Sequence, residues 1–137
     1  MALVVVAGAL VTGCSAGSDS ASEAANTSAT PAVCSSVTSL KSSVADLQDV
    51  QVQQDGVAAL QAPLSSVKTN VQQVVTDSKT QFQPGAQQLQ TSLDGVESAV
   101  DTAKAAPTAT SVGAVLTAVR TLAHDATAFA DEVSATC

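Results

Sequence analysis

The sequence predicts an all-α fold, an up-down-up-down four-helix bundle closed by a disulfide between its terminal ends. Three observations predict it. After Pro31, apolar residues recur at alternating steps of three and four in four separate stripes, the spacing of a helix with one buried face. Aromatic residues are nearly missing, Phe82 and Phe129 being the only ones, so a core has to be assembled from Val, Leu and Ala. Such side chains suit closely packed helices better than a sandwich of sheets. Finally, Cys34 and Cys137 stand at the two ends of the striped region.

The chain opens on an uncharged apolar run, Ala2 to Val11. A membrane-spanning helix needs roughly 20 such residues, so ten fit the apolar core of a secretory signal instead. The run leads into Val11-Thr12-Gly13-Cys14, an apolar residue and two small ones before a cysteine. This resembles the lipobox of bacterial lipoproteins. The resemblance implies that the Cys14 thiol receives a diacylglyceryl group and that the peptidase closes on the small Thr12 and Gly13. The freed amine of Cys14 would then be acylated. Such signals begin with Lys or Arg and this one does not, so the expectation is either a natural start upstream of Met1 or a signal trimmed at its start. Residues 1–13 are accordingly read as signal peptide, outside the fold.

Residues 14–32 are read as the lipidated Cys14 followed by a tether. From Ser15 to Ala32 the chain has no large apolar residue and is dense in Ser, Thr, Ala and Gly. It cannot bury enough surface to offset the entropy of ordering. A flexible stretch of this length has an r.m.s. reach of roughly 20–25 Å, enough to lift a domain off a bilayer.

Residues 33–137 form the helical domain. The first stripe is Val33, Val37, Leu40, Val44 and Leu47. The second is Val57, Leu60, Leu64, Val67, Val71 and Val74, continuing weakly to Phe82. The third is Ala86, Leu89, Leu93, Val96, Val100 and Ala103, and the fourth runs Val112, Val115, Val119, Leu122, Ala126, Phe129 and Val133. Asp55-Gly56 separates the first two, and Gln83-Pro84-Gly85 the next two, with Pro84 at a first helical position. Thr110 or Ser111 is expected to cap the last helix. Pro63 lies inside the second stripe, so it kinks that helix or marks its true start.

An exported domain sits in an oxidising compartment, where a pair of cysteines forms a disulfide. A Cys34–Cys137 bridge needs Cα atoms within ~7 Å. Three antiparallel helices would put the chain ends at opposite poles, whereas four bring them to the same one. A free Cys137 or a bridge between chains are the competing arrangements. A zinc site is not expected, because two distant cysteines and one histidine do not supply four ligands at familiar spacing.

Little chemistry is legible. The net charge of −7 argues against nucleic acid and against a basic membrane-binding patch. His124, the single histidine, falls outside the fourth stripe and is expected in solvent. Asp94, Glu97 and Asp101 share one flank of the third helix, read as an exposed acidic face partly relieved by Lys104 rather than a calcium or acid–base site. No phosphate loop, dinucleotide fingerprint, catalytic triad or Glu-x-x-His pair occurs. The expectation is no enzyme and no cofactor.

Lipobox, Ala/Ser-rich spacer and a cysteine at each end of the helical part together resemble secreted helical-bundle lipoproteins of actinobacteria. That resemblance implies no activity. Two readings of function remain: a monomeric binding or structural module for another cell-envelope component, anchored through Cys14 to the extracytoplasmic face of the membrane, or a carrier of a lipid or small apolar molecule between helices parted at Pro63 and Gly95.

Overall fold

The computed structural model describes residues 31–137, and among these there is no strand. Helix α1 spans Ala32–Asp49, α2 is the single turn Val52–Asp55, α3 is Gln61–Asp77, α4 is Gln83–Ala105 and α5 is Ala109–Ser134. Short 3-10 turns at Val57–Leu60 and Thr80–Phe82 lead into α3 and α4. Residues 1–13, read from sequence as signal peptide, and Cys14 with nearly all of the stretch read as tether lie outside the described residues. Ala32, assigned to the tether from sequence, already belongs to α1, with Pro31 at its N-cap position.

The stripes define the core. Helix α1 packs on α3 and α5, and α4 packs on α3 and α5, so each long helix has two neighbours. Their shared interior is one continuous aliphatic cluster, with Leu40, Val67, Val71, Val74, Leu89, Val96, Val115 and Leu122 fully buried. Burying a Val or Leu side chain is worth about 1.5–3 kcal/mol, so these stripes, rather than polar contacts, hold the helices together. All the stripe residues are buried except Val112, which is only half-buried at the start of α5.

Several local expectations need correction. The second stripe is not one helix: Val57 and Leu60 sit on the 3-10 turn, and α3 begins at Gln61. Pro63 is therefore the third helical residue, where its missing N–H has no intrahelical partner to lose. It marks a start and produces no kink. The segment before Gly56 is partly helical, because Val52 turns into the core and draws a short α2 with it. Gly56 ends that turn at φ 78°, a conformation open to glycine. Pro84 is the second residue of α4.

The cap of α5 is Thr108, not Thr110 or Ser111. Thr108 Oγ1 accepts from the Ser111 backbone N–H at 3.1 Å, and Ser111 Oγ accepts from the Thr108 N–H at 2.9 Å. This reciprocal box satisfies two donors that an open helix end would leave free. Ser111 Oγ also donates to the Ala106 carbonyl at 2.6 Å, tying the new helix to the end of the old one.

Candidate functional site

The two ends of the molecule are built differently. At one end, Cys34 in the first turn of α1 is bonded to Cys137, three residues beyond the end of α5, with Cα atoms 5.8 Å apart and a sequence separation of 103. The disulfide is thus within the chain. The Asp77–Phe82 connection and Thr136 meet Pro31 and Val33 at this same end. Here Gly85 lets α4 approach α5 closely: a Cβ there would stand 2.6 Å from the Phe129 ring. That ring meets Phe82 edge-on, with centroids 6.3 Å apart. The only two aromatic residues of the chain are therefore spent on one seam.

Two carboxylates clamp helix pairs. Ser36 of α1 donates to Asp77 at the end of α3, and Gln73 donates to the same carboxylate at 2.9 Å. Ser92 of α4 donates to Asp125 of α5, with Gln88 reaching it at 3.4 Å. Ser36 and Ser92 are buried, so these bonds give interior hydroxyls a partner on the neighbouring helix; Ser36 Oγ also lies 3.2 Å from the Ala32 carbonyl of its own helix. Both clamps pair positions on stripe flanks of different helices, which no single-helix periodicity exposes.

His124 is exposed, and its neighbour Asp125 is engaged by α4. Asp94 and Asp101 are exposed and Glu97 is half-buried. Relief of this acidic flank comes chiefly from across the α3–α4 seam. Lys68 Nζ sits 2.8 Å from Glu97 Oε1, whereas Lys104 reaches Asp101 only at 4.0 Å. The hydrogen bond and charge of Glu97, helped by Asp94, hold the Lys68 ammonium above the ordinary value of 10.5. Among the described residues, no three His, Cys, Asp or Glu side chains gather where a metal ion could be held. Among them, too, no helix is long and apolar enough to cross a membrane.

Neither feature that was to part the helices does so. Pro63 lies in the first turn of α3, and Gly95 faces open space rather than another helix. The depressions on the surface are open clefts along seams and ends. What the arrangement offers chemically is an acidic surface around a continuous aliphatic core. No family model, no curated protein and no solved structure matches the chain.

Proposed function

We propose that this chain is a lipoprotein of the cell envelope. In this reading Cys14 carries the lipid, and residues 33–137 form an up-down-up-down four-helix bundle that works by surface contact with another envelope component. The observation that carries it is the covalent closure of the domain at the end where the chain enters from Pro31. The Cys34–Cys137 disulfide joins the start of α1 to the segment after α5 there. A domain hung from a lipid at one end and sealed at that end leaves its sides and far end free for a partner.

Closure of this kind also fits export, since disulfides persist in oxidising compartments. It leaves Cys14 as the third cysteine, whose sulfur the lipid would cap. The filled aliphatic interior supports a surface role over a carrier role, because a bound lipid needs apolar space that the stripes already occupy.

In-cell cross-linking and pull-down of the anchored protein test the reading, with Cys14→Ser as the unanchored control. Membrane-fraction protein joined to one envelope component, lost from the membrane fraction in the control, is the expected result. Equal partition of both proteins into the soluble fraction, with no cross-linked species, contradicts it.

A further inference from the structure

Among the described residues, four of the large apolar side chains stay only half-buried: Val50, Val75, Val112 and Leu116. Three of these four gather at the end opposite the disulfide. Val112 and Leu116 line an open cleft of about 560 Å³ with Val52, Val57 and Pro107. Val50 adjoins it, its carbonyl accepting from the Val52 N–H at 3.0 Å. None of the residues lining the cleft is charged.

On the α1–α2 side the neighbouring charge is negative, while Arg120 stands one turn beyond Leu116 on α5. Asp49 ends α1 and Asp55 ends α2, both exposed. Among the described residues, neither has a cation within ion-pair distance. Asp46 joins them in the last turn of α1, which holds no basic residue. Carboxylates at a helix C-terminus oppose the macrodipole, where Lys or Arg would be favoured. The α1 carboxylates Asp46 and Asp49 thus stand where the isolated domain gains least from them, beside apolar side chains that it leaves half-buried. An occupant that is apolar in the middle and cationic at its edges relieves both.

We propose that this cleft docks a polypeptide segment of another envelope protein, made of large apolar side chains flanked by Lys or Arg. This rests on the surface-contact reading above and names where and what that surface binds. The apolar side chains of the segment would cover Val112 and Leu116, and its cations would face Asp49 and Asp55.

The test uses the full-length anchored chain in cells, with a photoreactive side chain placed at Gly113 or, as a control, at Gly95. A Cβ meets nothing within 4 Å at either glycine, so both substitutions are accommodated. Gly113 lies in the cleft wall, and Gly95 on the face of α4 away from it. Mass spectrometry then reads the sequence of the captured segment. The expected result is a protein adduct from position 113 about tenfold stronger than from 95, on a segment of apolar residues flanked by Lys or Arg. Charge reversal by Asp49→Lys with Asp55→Lys should cut that adduct about tenfold while leaving helicity intact and melting no lower than in the wild type. An acidic segment, a lipid adduct, an adduct equally strong from 95, or one indifferent to charge reversal overturns the proposal. If 113 stays silent while the pull-down still yields an envelope partner, the docking site falls and the module reading stands. If both are empty, both fall.

Discussion

Replacing Cys34 and Cys137 with serine removes the tie between the first turn of α1 and the end of α5. The loop it closes spans 103 residues, so the loop-closure entropy withheld from the unfolded chain amounts to ~4.7 kcal/mol at 25 °C. Measured losses for native disulfides run about 2–5 kcal/mol. A domain of this size has net stability on the order of 5–15 kcal/mol, and this core is built of Val, Leu and Ala. The bridge is thus a large share of what keeps it folded.

Urea unfolding followed by circular dichroism checks this, in a Cys14→Ser background so that no lipid intervenes. With a slope of roughly 1–1.5 kcal/mol/M, a loss of about 3 kcal/mol lowers the midpoint by roughly 2–3 M. The slope itself should rise, because an uncrosslinked unfolded chain exposes more surface. Wild-type protein kept reduced should match the double variant, which separates the cross-link from the side-chain change. A double variant whose midpoint lies within about 0.3 M of the oxidised protein would refute the reasoning, since closure would then contribute nothing.

Other outcomes follow from single positions. Gly85→Ala should destabilise by about 1–2 kcal/mol, because the added Cβ collides with the buried Phe129 ring, while Gly95→Ala should stabilise by about 0.5–1 kcal/mol through helix propensity alone. Thermal melts of the pair should therefore move in opposite directions. Thr108→Ala should cost about 1 kcal/mol, seen as faster amide exchange in the first turn of α5 before any change elsewhere. The Lys68–Glu97 bridge strengthens the fold while Lys68 is charged. Its folded-state value is raised, so that contribution is complete well below pH 10.5 and disappears as pH climbs through the raised value. The stability difference between wild type and Lys68→Gln should accordingly hold from pH 7 to 9 and vanish in strong alkali.

The helices were legible because burial here is nearly one-dimensional. Each stripe faces a single interior, and steps of three and four return to it wherever Val or Leu occurs. The pairing of Cys34 with Cys137 was legible from two cysteines flanking the stripes of a domain expected in an oxidising compartment, and a same-pole arrangement of four helices agreed with it. What escaped the reading lies between helices. Ser36–Asp77, Ser92–Asp125 and Lys68–Glu97 join positions that look like ordinary solvated flanks until two helices are set side by side. Gly85 reads as a mere turn residue, since its purpose is a ring 44 positions further on, at Phe129. The cap was misplaced by two or three residues because Thr108, Thr110 and Ser111 offer the same hydroxyl chemistry. Thr108 wins because Ser111 can answer it and still reach the Ala106 carbonyl. The apolar cleft at the end opposite the disulfide was hidden for a similar reason. Val50 and Leu116 fall off the stripes and carry no periodic signal.

The account as a whole stands on the anchor, and intact-mass measurement of protein extracted from the membrane fraction tests it most directly. A mature chain beginning at Cys14, heavier than its sequence by a diacylglyceryl group and a further acyl chain and carrying the Cys34–Cys137 disulfide, is the result predicted. A mature chain that still carries Gly13, or an unmodified Cys14 thiol, would contradict it.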